Sequence, residues 1–292
     1  MGRLPSWFRR PIPTGFYLRT SEILTENRLH TVCESALCPN QTECWSRKTA
    51  TFMILGERCT RRCGFCAIET ARPEAVDPHE PERVAEAALA LGLQYVVVTS
   101  VARDDLTDEG AEHFYQCVHA LKERIAGVEV EVLTPDFHAR LELIDRVSEA
   151  GPAVYNHNLE TVERLQARVR PQARYERSLR VIERVKEAFP RIRTKSGLML
   201  GLGEKENEVL QAAEDLKEAG CEILTLGQYL APSENHLPVE QYLPLEVFER
   251  LADTMRQMGF LEVYAGPLVR SSYHAAETFE SLRGVEGWSK SF

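Results

Sequence analysis

Residues Thr51–Cys66 read TFMILGERCTRRCGFC, and this stretch decides the fold. Its first five residues, Thr51–Leu55, make an apolar run of strand length that Gly56 then breaks. Three cysteines follow on the loop, Cys59, Cys63 and Cys66, spaced C-x3-C-x2-C, with Phe65 just before the last. A strand that runs straight into a cysteine loop puts soft metal ligands at its C-terminal end.

Downstream, short apolar runs alternate with amphipathic stretches. Further strands are expected at Gln94–Thr99 (QYVVVT), Val128–Leu133 (VEVEVL), Ala153–Asn156, Lys195–Leu200 (KSGLML), Ile223–Leu226 and Glu262–Tyr264. Between them the spacing predicts helices over Pro81–Leu91, Asp108–Ala126, His138–Ala150, Tyr175–Phe189, Glu204–Ala219 and Leu245–Met258. Such alternation indicates βαβ units on a parallel sheet. Six or so units make a barrel, full or partial, or an open doubly wound sheet, and spacing alone leaves both open. Residues 1–50 and 266–292 fall outside the alternation and read as extensions of a core at 51–265. In a parallel α/β barrel the chemistry gathers at the C-terminal strand ends. Those ends are the loops Gly56–Cys66, Thr99–Asp105, Asn156–Glu160, Gly201–Glu204 and Gly227–Ser233.

Six of the eight cysteines lie between Cys33 and Cys66. The chain opens MGRLPSWFRRPIPTG without an apolar secretory segment, so a reducing cytoplasmic location is expected and disulfides are not. Gly2 and Ser6 fit a myristoylation pattern, but a basic, aromatic tail is the simpler reading. Crowded cysteines in such a chain read as metal binding. They form two triplets, Cys33-x4-Cys38-x5-Cys44 and the one after the first strand. Thiolate selects zinc, cuprous copper or iron–sulfur clusters. A closed structural zinc site takes four ligands, often as two C-x2-C pairs, and neither triplet has that form. Three thiolates suit a cubane with one iron left open; a zinc-stabilised binding module is the plainer alternative. Cys117 and Cys221 read as core thiols, and the eight histidines have no metal spacing. Of these, His157 and His274 flank functional strings and read as surface or supporting residues. A net charge of -9 argues against nucleic acid, and no run is long enough for a membrane-spanning helix.

The string C-x3-C-x-F-C after a first strand resembles the radical S-adenosylmethionine superfamily. The earlier triplet narrows the resemblance to the lipoyl synthase family. The likeness extends over Thr99–Asp105 (TSVARDD), Asn156–Val162 (NHNLETV), Thr194–Glu204 (TKSGLMLGLGE), Gly227–Pro232 (GQYLAP) and Arg270–Tyr273 (RSSY). It implies a partial parallel (β/α)6-type barrel with terminal extensions, two 4Fe-4S clusters and S-adenosylmethionine. It also implies a sulfurtransferase activity in lipoate biosynthesis: insertion of two sulfur atoms, at C6 and C8, into an octanoyl chain carried on a lysine of a carrier protein. The cofactor would be cleaved to methionine and a 5′-deoxyadenosyl radical, and the auxiliary cluster would donate the sulfur. One departure is Ala102, where the family pattern has an acidic residue; Asp104 or Asp105 would then have to compensate.

By this resemblance Cys59, Cys63 and Cys66 hold the cleavage cluster, and Cys33, Cys38 and Cys44 hold the auxiliary cluster. Ser272, not Ser271, completes the auxiliary set, and Phe65 lies beside the adenine. Thr99, Ser100, Asn158, Glu160 and Lys195 are polar residues expected at the barrel mouth and are assigned to cofactor binding, with Asn158 and Glu160 suited to ribose hydroxyls. Helix caps or loop hydrogen bonds are the plain alternative for Thr99 and Ser100. The expected partners are an octanoylated lipoyl-carrier domain, a low-potential electron donor such as a ferredoxin or flavodoxin, and an iron–sulfur carrier protein for cluster repair. Arg168, Arg170, Arg174, Arg177 and Arg180 read either as a solvated face or as a dock for an acidic carrier domain.

Overall fold

A computed structural model describes residues 15–46, 50–273 and 275–277. Gly2, Ser6 and His274 lie outside the described residues. Ahead of the first parallel strand come α1 (Gly15–Glu26), β1 (His30–Thr31), α2 (Val32–Ser35) and α3 (Gln41–Ser46). Strand β2 (Thr51–Ile54) leads into the cysteine loop, which a short ladder of β3 (Arg58–Cys59) with β4 (Glu69–Thr70) frames. The repeat then runs α4 (Glu80–Leu91), β5 (Tyr95–Ser100), α5 (Ala111–Arg124), β6 (Glu129–Leu133), α6 (Leu141–Glu149) and β7 (Val154–Asn156). It continues through α7 (Gln166–Val169), α8 (Tyr175–Ala188), β8 (Arg193–Leu200), α9 (Glu206–Glu218), β9 (Ile223–Gln228), α10 (Leu245–Gln257) and β10 (Glu262–Gly266).

These runs become strands because both faces of the sheet are covered: β2 is buried at all four positions and β9 at all six. The sheet order is β1-β2-β5-β6-β7-β8-β9-β10, parallel throughout except for the antiparallel β1–β2 edge. Among the described residues β1 and β10 remain separate edges, so the barrel is partial: six β/α units and a last strand. It is strongly curled all the same, since Thr51 of β2, Leu133 of β6, Gly197 of β8 and Gly227 of β9 border one cavity.

Two expected helices are shorter in the structure. The helix expected from Asp108 starts at Ala111, because Glu109 and Gly110 take φ of 50° and 87°. The helix expected from His138 splits. Phe137–Ala139 form a tight turn with φ of 44°, 48° and 55°, and α6 begins only at Leu141. Asp136 caps that turn by accepting from His138 N at 3.2 Å, and its other contacts hold it in place: Arg61 at 2.7 Å and Arg177 at 3.2 Å. Burial acts to raise the Asp136 pKa, yet Arg61 and its other positive neighbours prevail and hold it at about 2.

The N-terminal stretch is fastened to the core. Ile23, Leu24, Cys33 and Trp45 join the same apolar cluster as β2 and β5. Tyr17 packs on Trp45 with ring centroids 5.2 Å apart, and Thr20 donates to Trp45 O at 3.1 Å.

Candidate cluster and cofactor site

A cavity of about 570 Å³ opens at the C-terminal ends of the strands. Cys33, Cys38 and Cys44 line it from the N-terminal extension, and Phe65 and Cys66 line it from the loop after β2. Asn158, Glu160, Ser271 and Ser272 complete its polar wall. Cys59 and Cys63 belong to the same loop as Cys66 but lie off the cavity wall. Burial pushes the thiols of Cys33 and Cys66 up to about 12 and that of Cys63 up to about 11. Bare thiols there stay protonated at neutral pH, and a bound metal would release those protons.

The donor set fits a cluster at each triplet. Soft sulfur ligands converge from short segments, and no histidine stands among them. The wall opposite fits an organic ligand. Asn158 Nδ2 donates to Glu160 Oε1 at 3.0 Å, while Asn158 Oδ1 is buried with no partner among the described residues. Glu160 itself sits at φ 67°, held by hydrogen bonds from Glu160 N to Gly197 O at 2.9 Å and from Met199 N to Glu160 O at 2.8 Å. Burial raises its carboxyl pKa. Gly197 is required here: a Cβ would stand 2.5 Å from Thr225 Oγ1 and 3.0 Å from Asn158 Oδ1.

The C-terminal strap closes the other side. A Cβ at Gly227 would lie 2.2 Å from Val269 O, so only glycine admits the strap. Asn40 Nδ2 donates to Leu268 O at 2.6 Å, and Tyr273 Oη to Glu43 Oε1 at 3.0 Å. These two bonds span 228 and 230 residues of sequence and lay the strap against the segment that carries Cys38 and Cys44. Ser271 Oγ accepts from Asn158 Nδ2 at 3.2 Å. Ser272 lines the cavity and has no hydrogen-bond partner among the described residues.

Three expected cofactor residues stand elsewhere. Lys195 is the correction with the clearest cause: it is the third residue of β8, not its end. Its ammonium donates to both oxygens of Glu131 at 2.9 and 3.1 Å inside the sheet. Glu131 also accepts from Tyr95 Oη at 2.7 Å and Asn156 Nδ2 at 2.9 Å. Removing one partner strands a buried charge. Lys195→Ala should therefore lower stability by about 3–5 kcal/mol, read from urea unfolding midpoints. Adding Glu131→Leu to that variant should restore part of the loss. A Lys195→Ala protein as stable as the parent would refute this account. Thr99 Oγ1 donates to Leu133 O at 2.8 Å, bridging strands β5 and β6 rather than capping a helix or closing a loop. Ser100 Oγ is buried without a partner among the described residues and is not on the cavity wall.

The acidic residues near Ala102 are also committed. Asp104 pairs with Arg61 and Asp105 with Arg103, so neither compensates at the cavity. The arginine run does not form one basic face. Arg170 is buried and donates to Asn158 O at 2.9 Å, Arg177 pairs with Asp136, Arg168 with Glu240 and Arg180 with Glu183. His157 is buried rather than on the surface. Its Nδ1 donates to Thr134 O at 2.8 Å, which leaves Nε2 to accept from Ser178 Oγ at 3.0 Å, and burial lowers its pKa to about 4. Sequence reasoning missed His236, whose Nε2 donates to Cys66 O at 3.1 Å. Next to it, Leu237 N donates to Gly64 O at 3.0 Å, so the loop after β9 clamps the cysteine loop. One histidine in a proline-flanked loop carries no periodic or motif signal.

Residues 53–216 match the Radical SAM superfamily. The solved structure of methylornithine synthase superposes with a TM-score of 0.54 at 15% identity, covering 73% of this chain and 70% of that one, which is a likeness of fold alone. Closer in sequence is a lipoyl synthase of Thermus thermophilus, 54% identical over 278 residues, which covers 94% of this chain and 86% of the relative. A lipoyl synthase of Caldanaerobacter subterraneus is 51% identical over 282 residues, 97% of this chain and 99% of the relative. Another, of Rhodopirellula baltica, is 53% identical over 283 residues, 96% of this chain and 89% of the relative. Identity of this degree over nearly the whole length, together with the superfamily match, shows that the chain belongs to the lipoyl synthase family of radical S-adenosylmethionine enzymes.

Proposed function

We propose that this chain inserts sulfur at C6 and C8 of an octanoyl group held on a carrier-protein lysine, with Cys59, Cys63 and Cys66 holding the cluster that cleaves S-adenosylmethionine. Cys33, Cys38, Cys44 and Ser272 hold the second cluster, the sulfur source. When bound, the two clusters and the cofactor supply an electron, a hydrogen-abstracting radical and sulfide, chemistry that no side chain offers at an unactivated carbon.

The observation that carries this reading is that the whole first triplet and the last cysteine of the second, Cys33, Cys38, Cys44 and Cys66, open on a single cavity at one end of the partial barrel. The chain's own residues then do three things. Asn158 and Glu160 present a carbonyl oxygen and a carboxylate to ribose hydroxyls, held to each other and to Gly197. Phe65, Leu133, Met199 and Tyr229 give the cavity apolar wall suited to an alkyl chain and an adenine face. Arg270, half-buried on the strap, bears charge toward both Cys38 and Glu160.

In this reading the extension before residue 51 carries the auxiliary ligands, 51–265 form the barrel, and the described strap at 267–273 closes its mouth. Among the described residues no helix is long and apolar enough to cross a membrane, consistent with work in the cytoplasm on a carrier domain. A ferredoxin- or flavodoxin-class donor supplies electrons, and an iron–sulfur carrier protein rebuilds the spent cluster.

The test uses reduced, anaerobically reconstituted full-length protein, S-adenosylmethionine and an octanoyl-lysyl peptide. Mass spectrometry should find the peptide with two sulfur atoms added. Cofactor cleavage without sulfur on the peptide would reject the assignment.

A further inference from the structure

The loop Cys59–Cys66 is joined to the loop after β5 by a set of contacts that ends on one sulfur atom. Thr60 N donates to Ala102 O at 3.1 Å, and Thr60 Oγ1 to the same oxygen at 3.0 Å. In return Asp104 N donates to Thr60 Oγ1 at 3.1 Å. Two backbone N–H groups converge on Cys59 Sγ: that of Ala102 at 3.3 Å and that of Arg61 at 3.4 Å. The Arg61 side chain locks the two loops in register. Its Nε lies 2.8 Å from Asp104 Oδ2 and its Nη2 2.7 Å from Asp104 Oδ1, a two-pronged fork, while Nη1 reaches Asp136 at 2.7 Å. Arg61 is only 5% exposed.

We propose that the Arg61–Asp104 fork is a positioning device that holds the two N–H donors on Cys59 Sγ and so sets the reduction potential of the cluster bound by Cys59, Cys63 and Cys66. N–H donors stabilise the more electron-rich, reduced form of an iron–sulfur cluster and raise its potential. A planar guanidinium fits a carboxylate at two points; an ammonium of the same charge does not. The arrangement also accounts for Ala102. That position works through its N–H and C=O, both used here, so an alanine serves where the family pattern has an acid.

This inference rests on the cluster assignment above, and the experiment separates the two. Full-length protein is reconstituted anaerobically and titrated with dithionite, with the reduced cluster followed by electron paramagnetic resonance with and without S-adenosylmethionine. The variants are Arg61→Lys, Asp104→Asn and Cys59→Ala. Arg61→Lys keeps the charge and loses the fork. It should retain the parent's iron and sulfide, while the signal that responds to S-adenosylmethionine becomes tenfold harder to reduce, a fall of 59 mV for a one-electron couple. Asp104→Asn makes the sign decisive. Removing a negative charge would by field alone raise the potential, whereas losing the fork lowers it, and a fall is expected. Asp104 is an exposed residue, so this variant carries the measurement if Arg61→Lys does not fold. Parent-like or raised potentials in the folded variants would overturn the tuning role. A cofactor-responsive signal that survives in Cys59→Ala would overturn the cluster assignment itself.

Discussion

Ser272→Ala should keep reductive cleavage of S-adenosylmethionine and lose nearly all sulfur-containing product, roughly 100-fold or more, since even groups outside the ligand set of a metal commonly cost 10–100-fold. The first triplet offers three thiols, so a four-iron cluster held there would need one further donor. Cys117 and Cys221 are excluded by position: each is packed in the core off the wall of the cavity that Cys33, Cys38 and Cys44 line, and Cys221 Sγ donates to Ile223 O at 3.2 Å. Ser272 lines the same cavity as Cys33, Cys38 and Cys44 without a hydrogen-bond partner among the described residues. A hard alkoxide is a poor partner for iron in a soft sulfide cluster, which makes that corner easier to open than a thiolate corner. Ser271→Ala is the matched comparison. It removes one hydrogen bond from Asn158, worth about 1 kcal/mol, so product should fall only about fivefold. Deoxyadenosine and peptide product, measured in the same reaction, decide the matter. Full lipoyl formation by Ser272→Ala would eliminate the ligand role.

Cys63→Ala should abolish 5′-deoxyadenosine formation altogether, while the auxiliary cluster still assembles with about half the parent's iron. The site has three thiolates and no spare: with one gone, the remaining pair cannot hold a cubane and still leave one iron open for the cofactor. Its loop has no histidine or carboxylate of its own to substitute, and neighbouring backbone is already used, with Gly64 N donating to Val169 O at 2.8 Å and Gly64 O accepting from Leu237 N. Chromatography of the reaction and iron analysis of the same sample give both halves of the prediction. Undiminished cofactor cleavage in Cys63→Ala would rule out this triplet.

Much of the fold was legible because period and composition act locally. The apolar runs from Thr51, Gln94 and Ile223 are strands in the structure within a residue or two, since runs this short, covered on both faces, pair their backbone with parallel neighbours on either side. The short helices α2 and α3 were not legible. They are 4 and 6 residues long, too short for a helical period, and are held by packing of Trp45 and Cys33 against the barrel. The broken helix at Phe137–Ala139 was hidden for a related reason: its apolar spacing is helical, but Asp136 is pinned by Arg61 and Arg177 from distant elements.

By itself the sequence determined the ligand types, their spacing on two short segments and the parallel α/β frame, because each depends on residues near one another in the chain. Only the tertiary structure decided which polar side chains reach the cavity. Asn158 and Glu160 do, while Lys195 turns to Glu131 inside the sheet, since a buried ammonium must meet a countercharge and the nearest one comes from a strand 64 residues away. The curl of the sheet, which brings Ser272 across to a triplet more than two hundred residues earlier, is likewise a matter of strand twist and of the space that Gly227 leaves for the strap.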